Sequence, residues 1–375
     1  MKLHIYADNA ATSRISDRAF EAMLPWLNEE YGNASQSYAF SRKPKQAIAE
    51  ARDLIAESIG ASSDEIYFTS GGTESNNWVI KNACLNCPER TGIITSSIEH
   101  HAILNACDFE RVYRKRKITI VPVLADATVC IEDFAQTISS SDGLASIMLA
   151  NNEVGTIEPI QELAKIAHSK GLLFHTDAVQ AIGHIAIDVK SLDVDFLSSS
   201  AHKFNGPKGI GFLYVKKGIT LPPFICGGAQ EMRMRAGTEN IASIVGMAVA
   251  LSENLKNLSS VQGYLCSLEK SLLAKLDDAK VQYKRNGAAA HIPGNISLSF
   301  KGFDGEAIMH RLDLVGISVS TGSACDSQNV HISHVLKAMK LDEDWAKGTI
   351  RISLGRDNTE EDINTIVDAL VRIVR

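Results

Sequence analysis

Short apolar runs alternate along the first two thirds of the chain with segments whose apolar positions recur every three or four residues. The runs fall at 66–69, 92–96, 118–123, 145–150, 172–175, 195–198 and 210–215. Residues 161–170 illustrate the intervening pattern. Leu163, Ile166 and Ala167 share one helical face there, and Gly171 stands where a helix-ending glycine belongs. Strands alternating with helices predict an α/β unit with a mostly parallel sheet. The texture changes after about residue 250. Residues 252–279 read as one long helix with Leu255, Leu258, Leu265, Leu268, Leu272 and Leu276 among its apolar positions. A strand is expected at 295–300, a helix at 304–313, a strand at 317–320 and a period-2 strand at 349–354. The closing helix starts near 360, with Thr359 as N-cap and Ile363, Ile366, Val367 and Leu370 as its apolar stripe. The expected organisation is a large domain over 1–255 and a smaller α+β domain over 256–375. The N-terminal arm, 1–15, is expected to pack with the smaller domain.

Composition narrows the function classes. The chain has 375 residues, 45% apolar and 22% charged, with a formal net charge of −6 from 44 acidic and 38 basic residues. Ordinary globular usage with an acidic balance gives no reason to expect nucleic acid or an anionic membrane as partner. The basic run Arg111-Val-Tyr-Arg-Lys-Arg-Lys117 reads as a solvated helix end. No apolar run approaches the roughly 18 residues of a membrane span. The N-terminus has no apolar signal-peptide core. Seven irregularly spaced cysteines predict reduced thiols and a cytoplasmic location.

Three segments carry candidate chemistry. Ser70-Gly-Gly-Thr-Glu-Ser75 follows a strand and opens a helix, so its backbone N–H groups can cradle an anion; a plain capped turn is the competing reading. It is not a P-loop, because no Gly-Lys-Ser/Thr ends it. In His175-Thr-Asp-Ala-Val-Gln180, Asp177 falls at the carboxyl end of a strand, where open α/β sheets place ligands. A buried carboxylate there needs a cationic partner, whereas an exposed one simply caps a helix. In Ser200-Ala-His-Lys203, the lysine precedes a Gly/Pro-rich turn and has donors beside it. One helix and one strand fit between Asp177 and Lys203, which predicts both at one sheet edge. Taken together, an amine, an acid and an anion cradle match what pyridoxal 5′-phosphate (PLP) requires: a lysine for the Schiff base, a partner for the ring nitrogen and donors for the phosphate.

Those segments occur in order with Ala7-Asp-Asn-Ala-Ala-Thr12, Ser97-Ile-Glu-His-His-Ala102, Asn151-Asn-Glu-Val-Gly155, Arg235-Ala-Gly-Thr-Glu-Asn240, Thr321-Gly-Ser-Ala-Cys325 and Ile350-Arg-Ile-Ser-Leu-Gly-Arg356. As a set they resemble cysteine desulfurases of the NifS/IscS type within the class V aminotransferases, from residue 5 to about 370. The resemblance implies a PLP-dependent transferase of fold type I, with a mostly parallel seven-stranded sheet in the large domain. It implies Lys203 as the Schiff-base lysine, Asp177 as partner of the pyridine nitrogen, and His100 as the ring-stacking acid/base candidate. Asn152 and Gln180 would bond ring substituents, and Gly72, Thr73, Ser200 and His202 would hold the phosphate. Thr238 would reach the phosphate from a second subunit of a homodimer. Arg351, with Asn33 as a weaker candidate, would clamp the carboxylate of L-cysteine. The implied product is L-alanine, with the sulfur left on Cys325 as a persulfide for a sulfur-acceptor or scaffold protein. Iron–sulfur cluster assembly and tRNA thiolation are among the destinations such enzymes serve.

Cys325 also has a reading of its own. Its neighbours are small and polar, so it lacks the apolar cover that free cysteines usually find, which favours a reactive thiol. Cys84-Leu-Asn-Cys87 has redox or metal spacing but no second pair, and reads as helix-end packing; no metal site is expected. His334 reads as local support near Cys325. Tyr38, Ala34, Asp326 and Gln328 depart from the family pattern, and the Asp326 carboxylate would raise the Cys325 pKa. A selenocysteine lyase or aminotransferase of the same fold is the rival within the family. An inactive scaffold or binding protein is the rival outside it, and intact Lys203, Asp177 and His100 argue against that.

Overall fold

The computed structural model describes residues 4–85, 87–321 and 332–375. Its strands are β1 (Ile5–Tyr6), β2 (Ile66–Thr69), β3 (Gly92–Ser96), β4 (Ile118–Val121), β5 (Asp142–Ser146), β6 (Leu173–Asp177), β7 (Phe196–Ser200), β8 (Gly211–Val215), β9 (Lys284–Asn286), β10 (Asn295–Ser299), β11 (Ile317–Ser318) and β12 (Thr349–Ser353). Seven of them form one sheet in the order β2-β8-β7-β6-β5-β3-β4. The neighbours from β7 through β6, β5 and β3 to β4 run parallel, and β8 is antiparallel to both β7 and β2. The sheet expected from strand–helix alternation is therefore present. Its central strands are buried on both faces because crossover helices cover each side.

Two apolar clusters sandwich this sheet. One joins Ile94, Ala145, Phe174, Leu197 and Phe212 to the helix Ile160–Ser169, and the other joins Ile93, Leu144, Phe196 and Leu213 to Trp78 and Ile103. The alternation of sheet residues between the clusters is the period of 2 that a pleated strand imposes. A third cluster links the antiparallel sheet β12-β10-β9 to the helices Leu258–Asp278 and Glu360–Ile373 through Leu268, Leu272, Ile296, Ile352 and Ile366. Thr359 caps the last helix, as the sequence predicts, through its side chain to the Asp362 N–H.

Two expectations need correction. The long helix predicted over 252–279 is two helices, Ile241–Lys256 and Leu258–Asp278, broken at Asn257. The Asn257 amide bonds the Glu253 carbonyl, which competes with continuation of the ladder. The basic run is not wholly solvated either. Arg116 is buried and pairs with the fully buried Glu110, Nε to carboxylate at 3.2 Å. No helix among the described residues is long and apolar enough to cross a membrane.

Candidate active site

Asp177 closes β6, and Lys203 ends the single turn Ala201–Lys203 that follows β7. Adjacent parallel strands thus deliver both side chains to the carboxyl edge of the sheet, where they line one cavity. The cavity encloses about 160 Å³ of accessible space and opens to solvent. Gly72, Thr73, His100, Asn152, Gln180, Ser200 and His202 also line it, together with Asn76, Met148 and Val179.

Asp177 is buried. One carboxylate oxygen accepts from Asn76 Nδ2 at 2.6 Å and the other from the Val179 N–H at 3.0 Å. Both donors are neutral, so they orient the carboxylate without balancing its charge. Lys203 Nζ donates to the carbonyls of Ala10 at 2.6 Å and Ala11 at 2.8 Å. The N-terminal segment therefore holds the amine in place. Gln180 Nε2 donates to the same Ala10 carbonyl, and His202 Nδ1 lies 3.2 Å from Thr12 Oγ1.

The candidate anion cradle is shaped by close approach. Gly72 starts the helix Gly72–Asn82, and a Cβ at this position would lie 2.4 Å from Val179 Cγ2. Gly71 has φ +145°, and a Cβ there would meet Ser200 Oγ at 3.3 Å. Only glycine lets the helix N-terminus come this near Ser200 and Val179, and Gly72 and Thr73 at this helix start line the cavity. Burial and the nearby Lys203 and Lys208 push the His202 pKa down to about 4, so the ring is neutral at pH 7.

His100 caps the helix His101–Arg114, its Nδ1 accepting from the Ala102 N–H at 3.1 Å. That bond assigns the proton of the neutral ring to Nε2. Burial lowers the His100 pKa, with the Asp177 carboxylate opposing and the Lys203 cation adding to the effect. Two residues before Asp177 on β6, His175 is buried between Ser146 Oγ at 2.8 Å and Ser198 Oγ at 2.9 Å, and burial depresses its pKa to about 3.

Other predicted residues lie elsewhere. Arg351 on β12 is buried outside the cavity lining. Its Nη1 donates to the Asn152 carbonyl at 2.9 Å, and its Nη2 pairs with Asp8 at 2.6 Å. Its Nε is buried with no partner among the described residues. Asn33 does not line the cavity; its side chain accepts from the Ser35 N–H. Thr238 is exposed and away from the cavity in this single chain. Tyr38 is exposed, whereas Ala34 is buried. Cys325, Asp326 and Gln328 lie outside the described residues. The segment on either side of them is tied to the site. Ser320 pairs with Arg351 through both backbone groups, Ser333 Oγ donates to Glu153, and His334 Nε2 lies 3.0 Å from the Glu99 carbonyl oxygen. Cys84 is buried at a helix end while Cys87 is exposed, and no cluster suited to a metal ion occurs among the described residues.

Sequence reasoning missed Asn76, Glu99 and Asp8. Asn76 follows Gly72 by one helical turn, so the signal for it was present in the spacing. Glu99 is fully buried beside His100, accepting from Ser96 Oγ and the Met148 N–H, and burial raises its pKa to about 8.

Comparison with known proteins adds a family. The model described as Aminotransferase class-V matches residues 5–366. The chain is 46% identical over 377 aligned positions to a protein named "Cysteine desulfurase IscS" from Dictyoglomus turgidum, covering 100% of this chain and 95% of that relative. A solved structure titled "NIFS-LIKE PROTEIN" superposes with a TM-score of 0.92 at 36% identity, covering 99% of each chain. A second, titled "SspA in complex with cysteine", gives 0.82 at 33% identity over 93% of this chain and 98% of that one.

Proposed function

This chain belongs to the aminotransferase class-V family and to its cysteine desulfurases, and from that premise we propose how its own residues carry the reaction with PLP as cofactor. The observation that supports the reading is the shared cavity of Lys203 and Asp177, with a glycine-built helix start beside them. PLP, when bound, supplies an electron-withdrawing ring that stabilises negative charge at the substrate Cα. Lys203 would hold it through its amine. Asp177 would face the ring nitrogen, and its negative charge keeps that nitrogen protonated. Gly72, Thr73, Ser200 and the neutral His202 would donate to the phosphate, while Asn152 and Gln180 would bond ring substituents. His100 has its Nδ1 engaged and its proton on Nε2, so it would serve as a proton donor, and the Lys203 amine would move the Cα proton. Arg351 would grip the carboxylate of L-cysteine. The Cys325 thiolate would attack the substrate sulfur. The carbon–sulfur bond breaks as a sulfur–sulfur bond forms, the carbon takes up a proton to leave as L-alanine, and the persulfide passes to an acceptor protein.

The same reading makes the protein a homodimer in the cytoplasm, with Thr238 serving the partner's site. Ser35 Oγ lies 3.4 Å from a Glu239 carboxylate oxygen, so the segment carrying exposed Tyr31, Tyr38 and Phe40 shares a face with Thr238. Such an apolar face fits burial against a second copy. The described cysteines are all free, which fits a reducing compartment. The division into 1–255 and 256–375 is supported by the break at Asn257 and by the separate apolar cluster around β10 and β12. Purified protein should absorb in the visible, lose that band in Lys203→Ala, and release alanine and sulfide from L-cysteine with a thiol reductant. A Cys325→Ser variant that turns over L-cysteine at the full rate would remove the sulfur-acceptor role.

A further inference from the structure

The Arg351 guanidinium is a buried cation, 6% exposed at its side chain, and the only carboxylate within ion-pair distance of it among the described residues is Asp8, 2.6 Å from Nη2. Nη1 is engaged by the Asn152 carbonyl at 2.9 Å. Both outer nitrogens are therefore pinned, one by a charge and one by a loop that lines the cavity. The buried Nε has no acceptor, so a donor is left over on the same planar group.

The backbone beneath Asp8 is fixed independently of that ion pair. The Asn9 N–H and side chain both donate to the Ser353 carbonyl, and the Ala10 N–H donates to Ser353 Oγ. Ser353 stands two residues from Arg351 on β12, so Asp8 and Arg351 are registered to each other by the strand itself. A carboxylate held this way cannot follow the guanidinium if it turns. It sets the angle of the plane.

From this geometry we infer that Asp8 is a positioning residue for substrate recognition: it fixes the Arg351 guanidinium so that its remaining donors meet the carboxylate of an α-amino acid. The inference rests on the reading of Arg351 as the carboxylate clamp. Asp8 also supplies the negative charge that a buried arginine requires when no substrate is bound. Because the Ser353 bonds remain when the charge is removed, Ala10 and Ala11 stay in place, and Lys203 keeps its environment.

The test is a spectrophotometric titration of the holoenzyme with two amines that differ in the carboxylate, L-alanine and ethylamine, in wild type, Asp8→Asn, Asp8→Ala and Arg351→Lys. Neither amine carries sulfur, so the readout does not depend on desulfuration. Loss of one charge-assisted contact on the clamp predicts a roughly tenfold fall in L-alanine affinity for both Asp8 variants. Ethylamine affinity and the position of the cofactor band should not change. With L-cysteine, KM should rise while kcat stays within about twofold. Unchanged or tighter L-alanine binding in both Asp8 variants overturns the inference. If Arg351→Lys loses the preference for L-alanine while the Asp8 variants keep it, the clamp stands and Asp8 alone is excluded. An Arg351→Lys enzyme with the wild-type preference overturns the clamp and the inference together. The Asp8→Ala variant keeps the test open if Asp8→Asn does not fold.

Discussion

Replacing Gly72 by alanine tests how the anion cradle is built. The added Cβ would lie 2.4 Å from Val179 Cγ2, whereas ordinary contact begins near 3.4 Å, so helix and loop must part by about 1 Å. Either the Val179 side chain must leave its rotamer or its backbone must shift, and the backbone N–H holds the Asp177 carboxylate at 3.0 Å. Overpacking of this size costs about 1–3 kcal/mol. In the cofactor-free protein the loop after β6 can yield and relieve most of it. Cofactor binding requires the original spacing between the helix start, Ser200 and Asp177, so the strain reappears as lost affinity of roughly tenfold to a hundredfold. The assay is fluorescence-quench titration of cofactor-free protein with PLP, alongside thermal melts with and without it. Gly263→Ala is the control. It sits exposed in the helix Leu258–Asp278 with nothing within 4 Å of a new Cβ, so alanine there should stabilise by about 0.5–1 kcal/mol and leave cofactor affinity unchanged. If Gly72→Ala binds PLP with wild-type affinity, close approach at this helix start is not what shapes the cradle.

Two further outcomes follow from the buried polar groups around the cavity. Asn76→Ala removes the side-chain donor on Asp177; at about 0.5–1.5 kcal/mol for such a bond, PLP affinity should fall by up to about tenfold, read by the same titration. For Glu99, burial raises the pKa to about 8, so the stability tied to its protonated form is full below the ordinary carboxylate range and is lost as pH rises towards about 8. Glu99→Gln removes that titration, so urea midpoints measured between pH 5 and pH 9 should fall less steeply with rising pH than in wild type; identical slopes would mean that Glu99 does not titrate in this range.

Much of this architecture was readable from the chain because its strands are continuous apolar runs and its helices are amphipathic. The runs at 66–69 and 92–96 coincide with β2 and β3, and the closing helix begins where Thr359 caps it. Periodicity failed at Asn257, where a local side-chain bond to the backbone ends a helix whose apolar pattern continues. It failed again at Arg116, whose burial depends on Glu110 and so on tertiary packing. At the site, Lys203 and Asp177 announce themselves through strand ends and glycine turns. Asp8 does not, because its partner Arg351 lies on a strand far along the chain and they meet only through the Ser353 register. The Ala10 and Ala11 carbonyls are silent for a different reason, since a backbone oxygen carries no residue signature.

In the proposed reading the amine at 203 is the covalent anchor in the cavity it shares with Asp177. Borohydride reduction of the PLP-loaded protein, followed by proteolysis and mass spectrometry of the labelled peptide, tests it most directly. The expected product is a single pyridoxyl-lysine at Lys203, in the peptide that continues into Phe204 and Asn205. A label on any other lysine, or a loaded protein from which no labelled peptide can be obtained, would contradict it.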